Sequence, residues 1–209
     1  MSDACCDVPD PGASGRHYRR ILWIALLANA TMFFVELAAS LHSGSSALAA
    51  DAVDFLGDAG NYGASLAALA AGGAWVSRVA LAKGVAMIAF GAGALGYAAA
   101  RALSGAPPEP VTMGTVALAA LGVNVGVAAL LFRFRGGDAN MRSVWLCSRN
   151  DAIGNLAVIG AAAGVWQTVT VWPDVAVAAV LAALGLSSGL SVARHARKEL
   201  AAAPPAAHA

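Results

Sequence analysis

The chain has 209 residues, of which 59% are hydrophobic and only 12% charged, about half the roughly 25% charged content of a soluble domain. A net charge of +1 supplies no basic field for a nucleic acid, and a mean hydropathy of +0.68 argues against a soluble enzyme or a disordered chain. What remains is a small all-α polytopic membrane protein rich in Ala, Gly and Leu, without the alternating ten-residue segments of a membrane β-barrel.

Residues 1–16 are polar, contain Pro9, Pro11 and Gly12, and lack the apolar core of a signal peptide. They are expected to form a disordered cytoplasmic N-terminus. Cys5 and Cys6, flanked by Asp3 and Asp7, read either as a capture point for soft metals or as incidental cysteines. Six segments then reach the roughly 20 apolar residues a membrane helix needs. They run about 20–41, 46–71, 79–103, 112–132, 142–164 and 172–193, joined by short connections. Pro107, Pro108 and Pro110 break the third connection, and Pro173 falls in the first turn of the sixth helix. With the N-terminus in the cytoplasm, Arg16, Arg19, Arg20, Arg78, Arg133, Arg135, Arg142, Arg194, Arg197 and Lys198 all lie inside and only Arg101 outside. Lys83 is expected to snorkel to the inner surface. The expected architecture is six transmembrane helices over 17–199 with both termini cytoplasmic, and a disordered tail over 200–209.

Five acids fall inside these spans: Glu36, Asp51, Asp54, Asp58 and Asp151. Charges at that depth are expensive and mark functional sites. Asp51, Asp54 and Asp58 stand at i, i+3 and i+7 on one stripe of helix two. On helix five Cys147 and Asp151 repeat the i, i+4 spacing, and Asn155 continues the stripe. Facing each other across antiparallel helices, Asp54, Asp58, Cys147 and Asp151 would offer three carboxylates and a thiolate to a tetrahedral zinc-like ion. Taken alone, Cys147 also fits a small buried core thiol. Arg149 lies about 200° round the helix from this stripe and suits a partner elsewhere, such as Glu36, or a snorkelling side chain. Asn29 and Glu36 share a face of helix one, and Asn124 is the lone amide of helix four. Asp51, Asn155 and Glu36 are expected in supporting or proton-linked roles. The histidines, at 17, 42, 195 and 208, all lie away from mid-span, which disfavours a membrane metalloenzyme; no catalytic residue is expected.

At these residues the chain resembles the cation diffusion facilitator, or cation efflux, transporters. His42 to Asp58 reads HSGSSALAADAVDFLGD, similar to that family's second-helix signature: a serine-rich turn, an ADA-type Asp, then a His-or-Asp-x-x-x-Asp pair, here Asp54 and Asp58. The fifth-helix pair reads CSRND, with Cys147 in the first place and Asp151 in the second. The resemblance covers about 20–195. It implies a six-helix homodimer in a bilayer, placed in the bacterial inner membrane, that exports Zn²⁺, Cd²⁺, Co²⁺ or Mn²⁺ in exchange for protons and keeps no permanent cofactor. Two departures stand out. Cys147 replaces the usual His or Asp and favours softer ions, Zn²⁺ foremost. The family's cytoplasmic metal-binding domain has no counterpart after helix six, so this looks like a short form in which a dimer would form in the membrane.

In such a site, three carboxylates and a thiolate exceed the charge of one divalent ion. Without metal the site holds protons, which metal binding releases, so one site opened alternately to either side would run as an antiporter. Two rivals remain: a proton or monovalent-cation pathway, in which Cys147 is incidental, and a metal sensor or accessory subunit that does not transport. Gly57, Gly60 and Gly63, with Gly91, Gly93 and Gly96, are expected to let helices two and three pack closely.

Overall fold

The computed structural model describes residues 16–71, 73–132 and 139–202, with their side chains apart from those of 16, 69–71, 73, 74, 139–150 and 202. These residues form six helices: α1 (Arg16–Ser43), α2 (Ser46–Ala71), α3 (Gly73–Ser104), α4 (Pro110–Phe132), α5 (Ala139–Thr168) and α6 (Trp172–Ala202). All six expected segments are helical. The largest difference is at 72–78, expected as a connection, where α3 already begins at Gly73. AWVSR contains no residue that stops a helix, and Trp75 stacks under the Arg78 guanidinium at 5.6 Å. The expected tail begins as helix, since α6 continues to Ala202. Cys5, Cys6 and His208 lie outside the described residues.

The turns have local causes. Gly44 adopts φ 74° and Gly105 φ 66°, and each closes its helix by donating its amide to the carbonyl four residues back. Val169 does the same work at the end of α5 with φ 52°, a conformation a β-branched residue rarely adopts. At the start of α4, Pro110 fills the first helical position, and Glu109 accepts the Val111 amide at 2.9 Å and the Thr112 amide at 2.6 Å. Those bonds hold the Glu109 carboxyl below its ordinary range.

Helix α2 is the central element, packed against α1, α3, α5 and α6, while α3 pairs with α6 and α4 with α5. Its start meets the start of α6, its partner α3 begins beside the end of α6, and the Glu109 amide before α4 bonds Ser43 O at the end of α1 at 2.8 Å. The bundle therefore alternates up and down. Small residues permit the close crossings: a Cβ on Gly84 of α3 would lie 2.8 Å from the Ala193 amide and 2.9 Å from the Gly189 carbonyl of α6. Gly57, Gly60 and Gly91 are likewise crowded by Met87, Lys83 and Leu186, whereas Gly93 and Gly96 have open space beside them. Of the expected set, Gly57 and Gly60 bring α2 and α3 together, whereas Gly91 meets α6 and Gly63 faces Leu26 of α1.

The distribution of polarity is inverted relative to a soluble protein. Leu27, Phe34, Leu41, Leu118, Ile153, Trp166 and Val180 are exposed, while Asn29, Glu36, Asp51, Asp58, Asn124, Asn155 and Asp174 are buried. Four helices are long and apolar enough to cross a membrane: His17–Ser43, Trp75–Ser104, Pro110–Phe132 and Trp172–Ala201. The other two, α2 and α5, have 26 and 30 residues and carry Asp51, Asp54, Asp58 and Asp151.

Candidate cation site in the helix bundle

The i, i+3, i+7 spacing on α2 does place Asp51, Asp54 and Asp58 on one stripe, and that stripe faces neighbouring helices. Asp51 and Asp58 are buried and Asp54 is partly exposed. Across the α2–α5 interface the Asp58 and Asp151 carboxyls come within hydrogen-bonding reach of each other. The Tyr62 hydroxyl donates to Asp58 Oδ2 at 3.3 Å, and Asn61, also on α2, joins the same group. Further along, α5 passes close to α2 at Gly154, where a Cβ would stand 4.0 Å from Asp51 Oδ1.

From α1, Glu36 contacts Asp51 carboxyl to carboxyl, and Asp54 lies close enough to both Asp51 and Asp58 to feel their charge. Glu36 therefore meets an acid; the side chain of Arg149, considered as its partner from the sequence, lies outside those described. The interior is rich in acceptors: both Glu36 oxygens, Asp51 Oδ2 and the amide oxygens of Asn29, Asn124 and Asn155 meet no donor among the described residues. The Asn29 and Asn155 amide nitrogens are spent on the carbonyls of Ala25 and Asp151, each at 2.8 Å, which leaves their oxygens facing inward. Buried acceptors without donors favour a cation or a proton in their midst.

Of the expected ligand set, Asp54, Asp58 and Asp151 are described, and the side chains of Cys147 and Arg149 are not. Among the described residues no three His, Cys, Asp or Glu side chains converge at metal-binding spacing. Among the described side chains, the carboxylates that join α2 to α5 directly are Asp58 and Asp151. His195 lies at the far end of α6, 3.2 Å from Glu199, to which the Ser77 hydroxyl also donates at 2.6 Å.

Two residues differ from the sequence reading, which gave Asp174 no role and expected Lys83 to snorkel. Asp174, in the first turn of α6, is fully buried. Its carboxylate receives the Ser45 hydroxyl at 2.6 Å, the Ser46 amide and hydroxyl at 2.8 and 2.6 Å, and the Ala47 amide at 3.0 Å. It thus caps α2, a helix it does not belong to, and explains the serine-rich turn before α2. Lys83 is the second. Its side chain is 9% exposed; it does not snorkel to the surface but donates to Asn61 Oδ1.

An apolar exterior around a core of carboxylates, amides and one ammonium defines a helical integral membrane protein whose interior attracts cations. Residues 22–201 match the profile of the cation efflux transmembrane domain, and the chain belongs to that family. Its members are metal-cation transporters and not enzymes. A comparison with curated proteins found no match.

Proposed function

We propose that this chain exports a divalent transition-metal cation, Zn²⁺ foremost, in exchange for protons, by alternating access to a site shared by α2 and α5. The observation that carries the reading is the meeting of Asp58 with Asp151 inside a bundle where, among the described residues, the buried oxygens of Glu36, Asn29, Asn124 and Asn155 and Asp51 Oδ2 meet no donor. Asp54, Asp58, Asp151 and Cys147 hold the ion; Asp51, Glu36 and Asn155 support them or pass protons. All these acids cannot remain ionised together in a dry interior. A divalent ion or a set of protons must neutralise them, and the two are alternative occupants. Loading metal from a neutral cytosol and releasing it toward a more acidic exterior completes the exchange.

The same reading places all six helices across the membrane, with both termini in the cytosol, and two copies side by side in the bilayer. The positions of charge support this orientation: Arg19, Arg20, Arg78, Arg194, Arg197 and Lys198 fall at one end of the alternating bundle and Arg101 at the other. Asp58, Asn61 and Lys83 then lie toward the cytosol, and Asp51, Glu36 and Asp174 toward the outside.

Proteoliposomes holding a metal dye and a pH dye test it. An inward gradient of Zn²⁺, Cd²⁺, Co²⁺ or Mn²⁺ is expected to give metal uptake with opposite proton movement. Asp58→Ala should abolish both, and Cys147→Ser should change the ranking of the ions. Metal binding without uptake would replace the transporter by a sensor or accessory subunit. Proton flux indifferent to metal would replace it by a proton pathway.

A further inference from the structure

Among the described residues, the acids of α2 have a cationic neighbour, Lys83, whose path to them is built into the packing. Lys83 enters from α3, almost three turns after that helix begins at Gly73. Its stem lies across Gly60 of α2: a Cβ on Gly60 would stand 2.6 Å from Lys83 Cγ and 2.8 Å from Cδ. Any side chain at position 60 would push the lysine off that course. The stem is buried, and the ammonium donates to Asn61 Oδ1. Asn61 stands one turn from Asp58 on α2 and also touches its carboxyl, and Lys83 is near enough for its charge to act on Asp58. Gly60, Asn61 and Asp58 thus follow one another round α2: a small residue under the stem, then an amide at the ammonium, then a carboxylate beyond it.

We infer that Lys83 is the resident counter-cation of the metal site: its ammonium, laid over Gly60 and held by Asn61, balances Asp58 when no divalent ion is bound and opposes the ion that replaces it. The inference rests on the reading that Asp58 is a metal ligand. Its consequence is a brake on affinity. A fixed positive charge near a ligand carboxylate raises the free energy of a dication at the same carboxylate and favours its departure. An exporter whose acids bound the metal without opposition would load well and release slowly. Lys83 provides opposition that does not depend on the outside solution, and it restores neutrality at Asp58 once the ion has left.

The test is equilibrium binding of Cd²⁺ to the full-length protein in detergent, in metal-free buffer, followed by calorimetry. Four variants are compared with the native chain: Lys83→Met, Lys83→Arg, Gly60→Ala and Asp58→Asn. Lys83→Met keeps the bulk and removes the charge; it is expected to bind Cd²⁺ roughly ten-fold tighter or more and to release it more slowly in a chelator chase. Lys83→Arg keeps the charge and should stay close to the native affinity, which a purely structural lysine would not require. Gly60→Ala displaces the stem while leaving the lysine present and should shift affinity in the same direction as Lys83→Met, by less. It also keeps the test open should Lys83→Met fail to fold. Asp58→Asn separates the two readings. If it loses Cd²⁺ binding while Lys83→Met and Gly60→Ala bind as the native protein does or more weakly, the counter-cation is overturned and the site stands. If Asp58→Asn binds Cd²⁺ like the native protein, the site itself is overturned, and the role of Lys83 with it.

Discussion

At the scale of single residues, Asp174 is a densely bonded buried carboxylate. Four hydrogen bonds of 2.6–3.0 Å reach it from Ser45, Ser46 and Ala47, and none of it is exposed. Replacing it by Ala would strand two hydroxyls and two amides away from water, a loss of about 2–4 kcal/mol. The expected outcome is a lowered unfolding midpoint in detergent for Asp174→Ala, with Asp174→Asn intermediate because one of its two acceptors survives. An unchanged midpoint would show that the contact is energetically idle. Asp54, Asp58 and Asp151 could be singled out from sequence because each pair repeats at helical spacing on its own helix. Asp174 and Lys83 could not. Asp174's partners lie 127 to 129 residues away, and Lys83 looks like a surface lysine until the crossing of α2 and α3 puts Gly60 beneath it.

At the scale of helices, apolar run length and turn residues were enough to place all six elements, because Gly44, Gly105, Pro110 and Pro173 mark their ends. The start of α3 was missed for the complementary reason: the six residues 73–78, without a strong apolar run, still form helix because they extend one already nucleated. Which faces meet was not legible. Gly84, Gly91 and Gly93 look alike in sequence, yet a Cβ would stand within 3 Å of the α6 backbone at Gly84, meet chiefly the Leu186 side chain at Gly91 and find open space at Gly93. Gly84→Ala is therefore expected to destabilise by about 1–3 kcal/mol, since Ala193 N and Gly189 O cannot swing aside as a side chain would. Gly93→Ala, with open space around it, should leave the midpoint unchanged. Thermal unfolding of the two variants in parallel checks the assignment, and equal shifts would contradict it.

For the whole molecule, the inverted distribution of polarity follows from composition, but the sidedness of the bundle needs experiment. With both termini cytosolic, a membrane-impermeant thiol reagent applied to intact cells should label Ser104→Cys, at the outer end of α3, and spare Lys198→Cys near the end of α6. The native chain should stay unlabelled, as Cys5 and Cys6 would lie inside. The reverse pattern would turn the molecule over, and the direction of export with it.

The clasp at Asp174 also bears on how such a chain is made. Helix α2 carries three carboxylates, and its first two amides bond a residue about 130 positions further on, with the Leu48 amide left to the local Ser45 hydroxyl. While a ribosome delivers the chain from its N-terminus, α2 reaches the bilayer with those two amides still without their acceptor. It must wait at the membrane surface, or be sheltered by α1, until α6 has been synthesised. Biogenesis of the cation-attracting core is thereby tied to synthesis of the last helix.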